Sequence, residues 1–284
     1  MAEYREHTHT TREGLSLYYR AYGPDDNTGT PVLCLSGLTR NCRDYHALAV
    51  HLGRSRRVLT LDYRGCGRSD RDLDYMNYQV DNDTADVVDL LDGIGVRRTI
   101  FVGTSRGGLV TMTLALSRPD LIAGVVLNDV GPALRSGGRG KVAKYFDLPY
   151  AYANWTDACA AYRAWSEKTT PGLTDAQWME RARATFVETR DGRVHFDFDP
   201  KMGDAYRGRT NPPHSWAKFE AMKDKPILSI RGEWSGILTA ETVAEMRGVK
   251  PDLQAATIPN RGHTPLLDEP ESLAAIDAFM AGVP

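Results

Sequence analysis

An α/β architecture, with a mostly parallel central sheet and helices on both faces, is what this 284-residue sequence predicts. Three observations carry the prediction. Short apolar runs of strand length recur between segments of helical spacing. Most of these runs are apolar throughout, which suits strands buried on both sides. The alternation breaks once, late in the series, and then resumes. An insertion over the carboxyl ends of the strands, where such sheets bind ligands, would do this.

LSLYYRAYG (15–23) alternates and is expected to be an early strand. PVLCLSG (31–37) is a buried strand ending in glycine, and DYHALAVHLG (44–53) a helix with Asp44 at its cap position. RRVLTLDYRG (56–65) is a strand, and TADVVDLLDGIG (84–95) a helix stopped by glycine. TIFVGTS (99–105) is a strand, RGGLVTMTLALSRPD (106–120) a helix and IAGVVLNDVG (122–131) a strand. From 132 to 224 the chain turns aromatic and irregular. Helices are expected around WTDACAAYRAWSEK and TDAQWMERARATFVE, and a hairpin at RDGRVHFDFDP. PILSIRG, TAETVAEMRG, LQAATIPN and ESLAAIDAFMAG then restore the alternation. The expected organisation is a core of residues 1–131 and 225–284 with a mainly helical cap insertion, 132–224.

Composition narrows the function. A net charge of −2 without a basic face argues against nucleic acid and anionic membranes as partners. Cys34, Cys42, Cys66 and Cys159 form no C-x-x-C and read as free thiols of a reducing compartment. The start of the chain has no apolar signal region, and no apolar run approaches the ~20 residues of a membrane span. A cytoplasmic protein is expected. No His and carboxylate pattern has metal-ligand spacing, so neither metal nor cofactor is expected. His7 and His9 read as part of a polar edge strand or terminus. RSGGRGK (135–141) is not a phosphate loop, because Val142 follows the lysine; it reads as a flexible lead into the insertion. The sequence leaves the oligomeric state open.

The strongest local signal is Gly103-Thr104-Ser105-Arg106-Gly107, a G-x-S-x-G that closes an apolar strand and opens a helix. A sharp strand-to-helix turn strains its serine and needs small neighbours, hence the two glycines. The turn lifts the Ser105 hydroxyl above the sheet and points the Arg106 N–H at the same spot. A Ser/Gly turn without chemistry is the plain alternative.

With LSGLTRN, LDYRGCGRSD, GTSRGG, LNDVGP, RGEWSG and NRGHTPLLDEP in order, the chain resembles the α/β-hydrolase superfamily, and within it the small capped serine hydrolases and esterases. The resemblance covers nearly the whole length and implies the α/β-hydrolase fold. It implies Ser105 as nucleophile and, in Ser36-Gly37-Leu38, a second oxyanion donor at Leu38 beside Arg106. Two such N–H groups would each supply ~3–4 kcal/mol of transition-state stabilisation. His263 follows the last strand in a glycine-containing loop, matching the order in which the base comes last.

The acid is less plain. In relatives the loop after PILSI runs Arg-Gly-x-x-Ser-Asp, and this chain matches at Arg231, Gly232 and Ser235 but has Gly236 in place of the aspartate. Three readings stand open: the acid is absent and turnover is impaired; Asp129 of LNDVGP replaces it from the neighbouring strand; or Glu233 does. Arg40, Tyr145, Trp155 and Trp234 are candidates for substrate contact, though aromatic helices of an insertion also pack on themselves. The expected reaction is hydrolysis of a small or medium carboxylic ester or lactone through an acyl-serine. C–C bond or amide hydrolysis on the same scaffold, or a ligand-binding protein with weakened catalysis, are the alternatives.

Overall fold

The computed structural model describes residues 3–25, 29–133, 138–208 and 215–283. Its strands in chain order are β1 (Arg5–Thr10), β2 (Ser16–Tyr22), β3 (Val32–Leu35), β4 (Val58–Leu61), β5 (Thr99–Thr104) and β6 (Ile122–Asn128), then β7 (Ala151–Tyr152), β8 (Phe186–Glu188) and β9 (Val194–Phe196), then β10 (Ile227–Gly232) and β11 (Gln254–Ile258). Eight of them form one sheet in the order β1-β2-β4-β3-β5-β6-β10-β11. β1 and β2 run antiparallel at one edge, and β4, β3, β5, β6, β10 and β11 are parallel. The parallel sheet predicted from the apolar runs is therefore present, with every residue of β3, β4 and β6 buried.

Helices α1 (His46–Leu52), α2 (Val80–Gly93) and α3 (Arg106–Ser117) lie among the first six strands. α4 (Gly138–Tyr145), α5 (Trp155–Ser166), α6 (Asp175–Thr185), α7 (Met202–Gly208) and α8 (Trp216–Glu220) precede β10, and α9 (Ala240–Val249) and α10 (Pro270–Ala281) complete the chain. Alternate side chains of each strand enter opposite layers, as the two-residue strand period requires. Phe101 and Val125 pack with Leu90 and Leu91 of α2 and Val110 and Leu114 of α3. Ile100, Val102 and Val126 pack on the other face with Leu48 and Leu52 of α1 and Ile276 and Phe279 of α10.

Some boundaries differ from expectation. α2 begins at Val80 rather than 84; Asp81 and Asp83 occupy its first turn, where carboxylates favour the positive end of a helix. The helix expected through 188 stops at Thr185, and Phe186–Glu188 becomes a strand paired with β9. The hairpin expected at 190–200 lies earlier in the chain, Phe186–Glu188 pairing with Val194–Phe196, and the small sheet β7-β9-β8 is built on it. His7 and His9 lie on edge strand β1, His7 stacked on the Tyr19 ring at 5.0 Å. Residues 135–137 of RSGGRGK lie outside the described residues, and Gly138 begins α4.

Residues 132–224 enter the sequence between β6 and β10 and touch the sheet's carboxyl end at many points. Asn41 donates to the Ala184 carbonyl (2.9 Å), Arg43 to Asp197 (2.6 Å), and Tyr78 Oη to Asp199 (2.7 Å). Backbone bonds join Gly67 N to Asp197 O, Asp199 N to Gly65 O and Gly262 N to Thr169 O.

Candidate active site

The carboxyl ends of β5 and β6, and the loops after β3, β10 and β11, converge on one point. Ser105 stands at the β5–α3 turn with φ 50° and ψ −110°, a conformation that side chains with a Cβ rarely adopt. The flanking glycines are a steric necessity. A Cβ on Gly103 would lie 2.5 Å from Gly108 N, and one on Gly107 would lie 2.0 Å from the Leu35 carbonyl oxygen. The turn is pinned by Ser105 N donating to Asn128 O (3.0 Å).

His263 faces Ser105 with Nε2 3.1 Å from Oγ. Its other nitrogen, Nδ1, donates to Asp129 Oδ2 at 2.7 Å, an arrangement that leaves Nε2 free to accept from the serine hydroxyl. The Asp129 side chain is fully buried. It also accepts from Gly232 N (2.8 Å, at Oδ1) and Ser235 Oγ (2.6 Å, at Oδ2), so each of these partners is a donor, as an acceptor-only carboxylate requires.

Of the three readings left open for the acid, this geometry matches the one that places it at Asp129. A carboxylate does stand against His263, reached from β6 instead of the loop after β10. Glu233 is turned elsewhere: its Oε2 accepts from Asn260 N (3.0 Å). Gly236 lines the cavity, and Ser235, besides its bond to Asp129, accepts from the amides of Ile237 and Leu238. The loop that carries Gly236 thus supports the carboxylate that follows the neighbouring strand.

Gly37 brings the loop after β3 against Ser105; a Cβ there would lie 3.8 Å from Ser105 Cβ. Ser36 Oγ closes this turn by donating to Arg40 O (3.0 Å), and Leu38 lines the cavity. Arg106 is the first residue of α3, so its amide is one of those a helix start leaves without an intrahelical acceptor. Its side chain turns into the core, where Nε donates to buried Asp83 (2.5 Å).

The cavity above Ser105 has a volume of about 490 Å³. Tyr145, Tyr162 and Trp165 of the insertion line it, with Arg40 on one side and half-exposed Trp234 on another. Burial pushes the Tyr145 hydroxyl up to about 12, so it remains a protonated phenol in the wall. Trp155 is a correction. It does not line the cavity; its indole donates to Glu188 (2.8 Å) and its ring carries the Arg183 guanidinium at 4.5 Å. It stands two helical turns, about 10 Å, before Tyr162 on α5.

Sequence reasoning missed several residues of the site. Tyr45 bonds the Leu35 carbonyl (2.8 Å) and Thr104 Oγ1 (2.7 Å) beneath the nucleophile turn. Asn128 Nδ2 ties Thr104 Oγ1 (3.1 Å) to the Pro265 carbonyl (3.0 Å) of the histidine loop. Glu269 holds that loop from its far end, accepting from Leu266 N, Leu267 N, Ser272 Oγ and Arg261 Nε at 2.7–3.0 Å. Asn128 lies inside LNDVGP and Glu269 inside NRGHTPLLDEP, but neither motif shows which distant groups they join. Among the described residues no group of three or more His, Cys, Asp or Glu is placed to hold a metal, and no helix is long and apolar enough to cross a membrane.

Residues 30–270 match the family model described as the α/β hydrolase fold. A 3-hydroxybutyrate-oligomer hydrolase of Cupriavidus necator is 30% identical over 275 residues, covering 94% of this chain and 93% of its own. A putative 2-succinyl-6-hydroxy-2,4-cyclohexadiene-1-carboxylate synthase of Bacillus subtilis is 25% identical over 271 residues, covering 94% and 95%. The crystal structure of an α/β hydrolase from Novosphingobium aromaticivorans superposes with a TM-score of 0.93 at 40% identity over the whole of both chains.

Proposed function

This chain belongs to the α/β-hydrolase family and is a hydrolase of that fold; from that premise we propose that it cleaves carboxylic esters through an acyl intermediate on Ser105. The observation that carries the reading is the unbroken hydrogen-bonded series from Ser105 Oγ through His263 to Asp129 Oδ2. His263 Nε2 takes the hydroxyl proton as Oγ attacks the carbonyl carbon, and returns it to the leaving alkoxide. Asp129 keeps the imidazole in the tautomer this needs and stabilises the imidazolium that forms. The amides of Leu38 and Arg106 receive the oxyanion. Water then repeats the sequence, with His263 again as base, to release the acid and restore Ser105.

Residues 132–224 act as a cap in this reading, their aromatic residues forming one wall of the substrate cavity. About 490 Å³ is room for a small or medium ester. The relative named for hydrolysing 3-hydroxybutyrate oligomers supports an ester of a short hydroxy acid as the substrate class.

The test is hydrolysis of p-nitrophenyl butyrate, with mass spectrometry of the quenched enzyme for an acyl adduct on Ser105. Ser105→Ala is expected to abolish both signals, and turnover that survives it would sink the reading. Asp129→Asn is expected to lower kcat roughly 10⁴-fold by analogy with other triads, while Gly236→Asp gives no gain. If Gly236→Asp instead raises kcat several hundredfold, the acid belongs at position 236 and Asp129 does not serve.

A further inference from the structure

The cavity is more positive than the protein that holds it. The whole chain carries −2, yet among the described residues the cavity is lined by Arg40, Lys144 and Arg181 against a single carboxylate, Asp44. These three cations are not equivalent. Arg40 is engaged at every nitrogen: Nε and Nη2 bond the two oxygens of Asp44, and Nη1 donates to Thr185 Oγ1 at 2.6 Å. Its role is to fix the loop after β3 against α6. Arg181, one helical turn before Thr185, bonds Asp268 through Nη2 alone. Its Nε and Nη1 have no other acceptor among the described residues, and the side chain is largely sheltered. Lys144 is exposed on α4 and forms no ion pair among the described residues. With Asp268 included, three cations face two carboxylates, and both carboxylates already have arginine partners.

We propose that Arg181 and Lys144 form a recognition site for a free carboxylate on the substrate, so that the preferred ester is an anion carrying its carboxylate away from the scissile bond. This deepens the ester-hydrolase reading and rests on it. The Arg181 guanidinium retains N–H groups that can each donate a charge-assisted bond to a carboxylate oxygen, and the flexible ammonium of Lys144 on the same cavity adds charge without demanding geometry. Asp44 and Asp268 oppose a dianion, which makes a carboxylate a better match than a phosphate monoester. The cations exposed on this wall also favour an anion there, an effect that salt weakens.

The experiment measures binding without turnover. Calorimetry on the Ser105→Ala protein compares the linear dimer of 3-hydroxybutyrate as free acid with its methyl ester. The free acid is expected to bind about tenfold or more tightly, the size of one charge-assisted contact. The difference shrinks severalfold in Arg181→Gln and in Lys144→Gln, and with added sodium chloride. Arg181→Lys, which keeps the charge and the contact with Asp268, controls for misfolding and is expected to retain part of the preference. Equal binding of acid and methyl ester, or binding of neither, overturns the proposal. Turnover of p-nitrophenyl butyrate by the unmodified protein separates the two ideas. Turnover without acid preference keeps the esterase and removes the carboxylate site, while acid preference without turnover does the reverse.

Discussion

Among the described residues five non-glycine residues hold a positive φ: Thr39, Ser105, Asp129, Asn260 and Leu267. All five lie in or next to the candidate site. Thr39 follows Leu38 in the loop after β3, Ser105 and Asp129 are in the proposed triad, and Asn260 and Leu267 bracket the His263 loop. Such conformations cost of order 1–3 kcal/mol each and persist only where the surroundings over-determine them. Replacing Ser105 by glycine and by alanine therefore gives two inactive proteins of unequal stability. Ser105→Gly is expected to exceed Ser105→Ala by about 1 kcal/mol or more in urea unfolding, because only glycine relaxes at φ 50°. Equal midpoints would mean the turn stores no strain. Ser105 was legible in the sequence because its strain requires glycines at fixed offsets. Asp129 was legible only as one of three options. What distinguishes it is contact with Gly232 and Ser235, more than a hundred residues away, and no local pattern encodes that.

The loop between β11 and α10 shows how an element is held for a task. Glu269, buried at its far end, accepts from Leu266, Ser272 and Arg261. Burial by itself would raise this carboxyl, but those donors outweigh it and hold Glu269 below its usual value of 4.5. A carboxyl lowered by folding stabilises the protein above its unfolded value, and that contribution is lost as pH falls through the lower folded one. Glu269→Gln is thus expected to be less stable than the parent at pH 7, with the gap closing below about pH 4.5. Urea melts from pH 7 to pH 3 measure this, and a gap that stays constant would show that the charge is immaterial. At this scale the strands of the parallel sheet were readable because burial on both faces leaves apolar runs. α4, α7 and α8 were not, and the hairpin was read without its first strand at Phe186, because these short segments are stabilised by distant partners rather than by periodicity.

In the whole molecule, residues 132–224 are joined to the sheet by bonds spread over 41–43, 65–67, 78 and 262. Four of the five tryptophans lie in that insertion, so their fluorescence reports on it, whereas far-UV dichroism reports on the whole. The two signals are expected to fall together in one transition. An earlier fluorescence change would mean that the insertion opens as a unit of its own. The path of the chain between β6 and β10 was readable from the break in alternation; its attachment was not, since it depends on polar contacts between segments far apart in sequence. The seat of Asp129 at the end of β6 reaches further still. Ser105 and Asp129 are anchored at the ends of adjacent strands of the sheet, and in the proposed reaction the loop at 233–237 takes part through Ser235. In that reading Trp234 and Gly236 carry no step of the reaction. The mouth of the cavity can diverge from one descendant to the next, and new substrates can be tried there without remaking the chemistry.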